Sequence, residues 1–136
     1  MRPIALDTNT YAGFKRGDRD CVEVIQRAEQ LLVSTVVLAE LLSGFAFGTQ
    51  EARNREELRL FLDCNRVAIK EAGLATADAY ALIYSALRRQ GRPIPTNDLW
   101  IAAACVEHGA VLFSFDAHFD HVAGLRRITR WAEALP

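Results

Sequence analysis

The feature that most constrains the fold is a set of short, continuously apolar runs that alternate with longer helix-like stretches. The clearest runs are Ile4–Leu6, Leu31–Ser34 and residues 111–115. Continuous apolar runs are typical of strands buried on both faces, whereas a strand with one face in water alternates apolar and polar residues. Strands that alternate with helices form a parallel sheet covered by those helices. We therefore predict an α/β fold.

The helices and the weaker strands follow from periodicity, caps and helix breakers. We expect Thr35 to cap the third helix and Gly48 to end it. Pro93 and Pro95 predict an extended loop before the last helix. The chain has 136 residues and no repeat or linker, so a single domain over 1–136 is expected. The predicted helices are 9–15, 21–30, 35–47, 51–62, 74–89 and 97–107, with further strands at 66–69 and 125–128.

Composition and charge exclude several classes of protein. The net charge of −1 gives no global field that attracts nucleic acid, so any polyanion has to be held by local charge. The cysteines are odd in number and far apart, which favours reduced, mostly buried thiols over a disulfide framework or a zinc site. An acid at position 7 comes too early for a signal peptide, and no apolar run reaches membrane-spanning length. We expect a cytoplasmic protein with no membrane association. The three cysteines are Cys21, Cys64 and Cys105.

Four carboxylates stand at positions that need an explanation. Asp7 and Asp116 each end a predicted strand, where open parallel sheets bind ligands, although capping a turn also explains each of them. Asp98 begins an apolar helix, where the helix dipole alone accounts for an acid. Glu40 lies on a helix face of apolar and small residues, where burying a carboxylate is costly unless a cation or a donor meets it. A functional role is therefore favoured for Glu40.

These acids together predict a metal site. If the strands before Asp7 and Asp116 are neighbours, their carboxylates converge, and like charges at that distance need a compensating cation. Oxygen ligands without a cluster of Cys and His indicate Mg²⁺ or Mn²⁺. A competing pattern is the closely spaced group of Asp116, His118, Asp120 and His121, where histidine would suit a softer metal. We interpret that stretch as a polar loop after a strand.

The segments that carry the four acids resemble, in order, the acidic motifs of PIN domains. They are residues 6–9, 37–41, 97–104 and 108–119. The order of the motifs and the length of the chain are similar to the VapC-type toxin branch of that family. The resemblance implies a three-layer α/β/α sandwich with a central five-stranded parallel sheet.

The resemblance also implies a Mg²⁺- or Mn²⁺-dependent endoribonuclease with its acids in one cleft around one or two ions. In that reading Thr8 or Asn9 orients the first acid or a metal-bound water, and Asp120 is an auxiliary acid. Ser114 matches the small hydroxyl residue usual before the last motif, whereas Phe115 stands where a polar or basic residue is common. The catalytic and metal-binding residues implied are Asp7, Glu40, Asp98 and Asp116.

The partners implied by the resemblance are an RNA substrate, a cognate antitoxin protein and a second copy of the chain in a homodimer. The early helices carry more apolar residues than are needed to cover one face of the sheet, which is compatible with a groove that receives the antitoxin. Two arginine sets are candidates for flanking phosphates, and we interpret at least one set as a solvated face. The apolar residues are Tyr11, Phe14, Val22, Val24 and Ile25; the arginines are Arg88, Arg89 and Arg92, and Arg126, Arg127 and Arg130.

Two other functions stay open at this point. Residues 7–10 resemble the nucleophile motif of haloacid-dehalogenase-type phosphatases, but Asn9 stands where a second acid is required. A PIN scaffold retained for binding only is the non-enzymatic alternative. Such a module usually lacks one or more of the acids, and all four are present in this chain. A metal titration separates these readings.

Overall fold

Five parallel strands form one sheet in the computed structural model, which describes residues 1–135. The sheet has the order β3-β2-β1-β4-β5, and every neighbouring pair is parallel. Because β1 lies between β2 and β4, the segments that follow these three strands leave the sheet side by side at its carboxyl edge. The strands are β1 Ile4–Leu6, β2 Leu31–Ser34, β3 Val67–Lys70, β4 Val111–Phe113 and β5 Arg127–Ile128.

Six helices cover the two faces of this sheet. The chain moves in one direction through β1, β2 and β3, so right-handed connections place the first four helices on one face. It then crosses back to β4, which places the last two helices, packed against each other, on the opposite face. The predicted α/β/α architecture is confirmed. The helices are α1 Thr8–Arg16, α2 Arg19–Arg27, α3 Thr35–Phe47, α4 Glu51–Leu62, α5 Leu74–Arg89 and α6 Thr96–His108.

The core lies between the sheet and the apolar sides of these helices. Leu112 and Phe113 of β4 are completely buried, as the continuous apolar run predicts. Ala102 and Ala103 of α6 are also completely buried, and their small side chains let this helix lie close to its neighbours. The expectation of mostly buried thiols holds for Cys21 and Cys105, whereas Cys64 is exposed in the turn after α4; these residues are free cysteines.

Element boundaries differ from the prediction where side chains bond to the backbone. Ser34, not Thr35, caps α3, because its Oγ accepts from the Val37 N–H at 3.4 Å. The strand predicted over 111–115 ends at Phe113, and Ser114 then accepts from the Asp116 N–H at 3.1 Å. A short 3₁₀ helix, Ala117–His121, follows. Along residues 1–135, no helix combines the length and the apolar character needed to cross a membrane.

Candidate active site

Asp7 lies directly after β1 and caps α1. Its Oδ1 accepts from the Thr10 backbone N–H at 2.9 Å and lies 3.0 Å from the Thr10 hydroxyl, which is also 3.2 Å from the Phe113 carbonyl oxygen. Thr10 therefore joins the first turn of α1 to the end of β4, and it is completely buried. Within residues 1–135 no hydrogen bond reaches Asp7 Oδ2. Asp7 therefore caps a helix and also lies at the carboxyl edge of the sheet, so both of the explanations offered from the sequence apply to it.

Glu40 is held by donors from two other elements. The Thr8 hydroxyl at the start of α1 donates to Glu40 Oε1 at 2.6 Å, and the Asn97 amide of α6 donates to Oε2 at 3.3 Å. These donors explain how a half-buried carboxylate is tolerated on the apolar face of α3. Glu40 is thereby fixed where α1, α3 and α6 meet.

Asp98 and Asp116 approach each other through the ring of His118. Asp98 lies in the first turn of α6, Asp116 follows β4, and His118 belongs to the 3₁₀ helix. His118 Nε2 lies 2.8 Å from Asp98 Oδ2, and His118 Nδ1 lies 2.8 Å from Asp116 Oδ1. One ligand atom from each of the three residues lies within 4.8 Å of the other two. In the part of the chain that the structure describes, this is the one group of three ligand-type side chains so close together.

Electrostatic coupling extends this group to Glu40. Burial raises the pKa of the Asp98 carboxyl, the neighbouring His118 lowers it, and the charges of Asp116 and Glu40 raise it further. The net shift is upward, so ionisation of Asp98 is disfavoured by its burial and by the negative charges of its two acidic neighbours. Such an arrangement favours the binding of a cation.

The sequence-predicted acids are thus brought to one edge of the sheet, but not all in the same way. Glu40, Asp98 and Asp116 form one electrostatic cluster, and Asp7 lies at the adjacent strand end, next to the Thr8 that holds Glu40. Asp120 points to a different partner, because Arg127 donates to both of its oxygens at 2.8 and 2.9 Å and lowers the pKa of the Asp120 carboxyl. The role of Asp120 as an auxiliary acid stays a prediction.

Several side chains in this region were not assigned from the sequence. Thr10 contacts Asp7, whereas Thr8 contacts Glu40 and Asn9 is exposed. The role of Thr8 or Asn9 in orienting the first acid or a metal-bound water stays a prediction. An acid followed three residues later by a hydroxyl side chain is the spacing of a capping motif, so that signal was present. His118 was noted from the sequence as a neighbour of Asp116 and interpreted as part of a polar loop, but its contact with Asp98, 20 residues earlier, had no signal in the sequence.

The arginine sets differ in how they lie around the cluster. Arg127 is committed to Asp120 and to the Ser114 carbonyl oxygen, and Arg126 donates to the Glu133 carbonyl oxygen, so two members of the second set have partners in the fold. Arg92 is exposed and lies 3.0 Å from His121 Nδ1, in the same 3₁₀ helix as the histidine between the two acids. Arg92 is therefore the arginine of the first set that contacts an element of the site.

Known proteins match this chain in sequence and in fold. The profile of the PIN domain family matches residues 4–125. Ribonuclease VapC4 of Mycobacterium tuberculosis is 33% identical over 126 residues, which cover 91% of this chain and 84% of that protein. VapBC2 from Rickettsia felis, solved bound to a DNA fragment from its promoter, superposes with a TM-score of 0.80 at 22% identity and covers 93% of this chain and 97% of the other. VapBC-5 from Mycobacterium tuberculosis, a member of the VapBC family of toxin–antitoxin systems, gives a TM-score of 0.73 at 22% identity, over 94% and 98% of the two chains.

Proposed function

The chain belongs to the PIN domain family, and we propose that it is a metal-dependent endoribonuclease, the toxin of a toxin–antitoxin pair, acting in the cytoplasm. The observation that carries this proposal is the approach of Glu40, Asp98 and Asp116 at the carboxyl edge of the sheet, with Asp7 at the adjacent strand end. The name ribonuclease belongs to a relative that is 33% identical over nearly the whole chain. These four acids are the proposed catalytic and metal-binding residues.

The residues present fit a divalent cation such as Mg²⁺ or Mn²⁺. Carboxylate oxygens are the ligands that such ions prefer. The carboxylates of Asp116 and Glu40 lie close enough to Asp98 for their charges to act on it. His118 Nε2 is completely buried and has no hydrogen-bond partner in residues 1–135, even though Asp98 Oδ2 lies 2.8 Å away, because the contact lacks the alignment of a hydrogen bond. A buried polar atom without a partner is a site where an ion or a water is expected.

The chemistry follows from the charge that the ion adds and from the side chains that place the ligands. When bound, a divalent ion stabilises the negative charge that develops on a phosphodiester under attack by water. Thr10 holds Asp7, and Thr8 and Asn97 hold Glu40, so these carboxylates are positioned before the substrate arrives. Arg92 lies at the edge of the site and is our candidate for a flanking phosphate.

We propose that the residue at position 115 contacts the substrate through an aromatic ring and not through a polar or basic side chain. Phe115 follows β4 immediately before Asp116, and its ring is 49% exposed, with its edge toward Phe113 at 5.5 Å between ring centroids. An exposed ring beside a phosphodiester-cleaving site offers a face on which a nucleobase stacks. We propose that Phe115 contributes to the affinity for single-stranded RNA.

The proposed protein partners are an antitoxin and a second copy of the chain. The name of VapBC-5 as a member of a family of toxin–antitoxin systems supports the first. The surface first expected to receive the antitoxin is smaller than the sequence indicated, because Tyr11, Val24 and Ile25 are buried in the core. The large apolar side chains that stay exposed lie elsewhere, most of all at Phe47 and Leu74.

Cleavage of RNA by the purified chain, with sequencing of the RNA ends, tests the proposal. We expect new ends at defined positions with Mn²⁺ present, and none with excess EDTA or with the Asp116→Asn variant. Asp78→Asn is the matched control, since Asp78 is an exposed acid on α5. A binding-only module gives no new ends under any condition, and a phosphatase releases phosphate from a monoester without cutting RNA. Either result would overturn the proposal.

A further inference from the structure

His118 lies between two carboxylates of the acidic site, and its contacts with these carboxylates do not by themselves explain this position. Its Nε2 is completely buried and has no hydrogen-bond partner in the described chain, at 2.8 Å from Asp98 Oδ2. A neutral imidazole carries a lone pair on the ring nitrogen that has no proton. His118 Nδ1 lies equally close to Asp116 Oδ1, at 2.8 Å and likewise outside hydrogen-bond alignment, so the ring lies at contact distance from both acids. The unprotonated nitrogen is then available to an ion that the ring shares with the two acids.

A histidine held by a carboxylate on one ring nitrogen is a common arrangement around protein-bound metals. The carboxylate fixes the ring and the tautomer, and the other nitrogen binds the ion. Asp116 has a second oxygen, Oδ2, to which no hydrogen bond runs from residues 1–135. Asp116 Oδ1 accepts from the backbone N–H of His118 at 3.3 Å, which ties the two residues together, while Oδ2 stays available to the ion.

The distance between two of the candidate ligand atoms also suits an ion that both of them bind. Two ligand atoms at right angles around an ion, each about 2.1 Å from it, are roughly 3.0 Å apart. The observed 2.8 Å between His118 Nε2 and Asp98 Oδ2 is close to this value. A shift of a few tenths of an ångström places both atoms as neighbouring ligands.

We propose that His118 is a ligand of the ion in this site, together with Asp98 and Asp116, and that the site therefore prefers Mn²⁺ or another first-row transition ion over Mg²⁺. The preference follows from the donor set, because imidazole nitrogen binds transition ions better than it binds Mg²⁺, which favours oxygen. The inference rests on the proposed metal dependence and specifies which ion the site selects.

Pulsed electron paramagnetic resonance of the Mn²⁺-loaded protein tests the ligand directly. We expect the modulation of a directly bound imidazole nitrogen in the wild-type spectrum. The modulation is lost in His118→Asn and retained in His121→Asn, a matched control in the same 3₁₀ helix whose ring contacts Arg92 instead. Bound Mn²⁺ with no nitrogen modulation in the wild-type protein overturns the inference, and this outcome needs no variant to fold.

Calorimetric titration with Mn²⁺ and with Mg²⁺ separates this inference from the proposed function. His118→Asn is expected to lose at least about tenfold in Mn²⁺ affinity and clearly less in Mg²⁺ affinity. Equal losses for the two ions, in a variant with the circular dichroism of the wild type, overturn the inference and leave the metal-dependent function intact. Absence of binding for both ions to the wild-type chain overturns both.

Discussion

The hydroxyl of Thr8 donates to Glu40 Oε1 at 2.6 Å, across 32 residues of sequence. This bond joins the start of α1, directly after the central strand, to the middle of α3. Asn97 of α6 donates to the other oxygen of the same carboxylate at 3.3 Å. Glu40 is therefore positioned by helices from both faces of the sheet, and its place in the site depends on the whole fold.

Removal of the Thr8 hydroxyl is expected to lower activity more than stability. Thr8→Val keeps the volume but leaves Glu40 with one donor, so we expect the kcat for RNA cleavage to fall by about tenfold, as for partners that orient metal ligands. KM for RNA is expected to change little. Thr8→Ser retains the donor and should keep most of the activity. Equal kcat for Thr8→Val and the wild type would show that Thr8 has no positioning role.

Thr10 is expected to matter for stability. Its hydroxyl is buried between Asp7 Oδ1 and the Phe113 carbonyl oxygen, so Thr10→Ala should lower the free energy of unfolding by about 1 to 2 kcal/mol. Urea denaturation of the metal-free protein measures the change. Thr49→Ala is the matched control, because Thr49 is exposed in the turn after α3. A loss no larger than that of the control contradicts the role assigned to Thr10.

The raised pKa of Asp98 predicts that its charged carboxylate lowers the stability of the fold when no metal ion is bound. A carboxyl whose pKa is higher in the folded than in the unfolded protein contributes stability at low pH, and that stability is lost as the pH rises through the folded value. Without divalent ions, Asp98→Asn should therefore melt at a higher temperature than the wild type at pH 7. The difference should vanish as the pH falls below the ordinary value of about 3.9. Thermal melts over this range check the sign, and a lower melting temperature for Asp98→Asn at pH 7 contradicts it.

Much of the fold was predictable because it depends on local patterns. The continuous apolar runs identified the strands, and the parallel sheet followed from their alternation with helices. The place of Asp7 and Asp116 at neighbouring strand ends followed in turn, because β1 and β4 pair directly. The ends of β4 and the cap of α3 were less predictable, since side chains of Ser114 and Ser34 compete there with the backbone ladder.

The contacts that shape the site were not predictable, because they join residues far apart in sequence. Asn97 meets Glu40 across 57 residues, and the contact of His118 with Asp98 depends on how the 3₁₀ helix packs against α6. Burial of Tyr11 in the core likewise depends on Phe61 of α4, with which its ring packs edge-on at 5.2 Å. Periodicity identifies an apolar face but not the element that covers it.

Phe115 is expected to contribute to RNA affinity and not to the fold. If a base stacks on its exposed ring, Phe115→Ala should weaken binding of single-stranded RNA by about 1 to 3 kcal/mol, roughly five- to 150-fold. Fluorescence anisotropy with a catalytically silent Asp116→Asn background measures binding without cleavage. Phe47→Ala is the control, because Phe47 is 96% exposed at the far end of α3. The same affinity for both variants contradicts stacking at position 115.

The central claim is that the acids at the carboxyl edge of the sheet form one metal-dependent site for RNA cleavage. It is tested most directly by the cleavage rate of a defined single-stranded RNA as the metal-free chain is titrated with Mn²⁺. We expect no cleavage without the ion, a rate that rises with occupancy of the site, and no rise for Asp98→Asn, which lacks one of the proposed ligands. Cleavage that persists in excess EDTA, or an Asp98→Asn rate equal to that of the wild type, contradicts it.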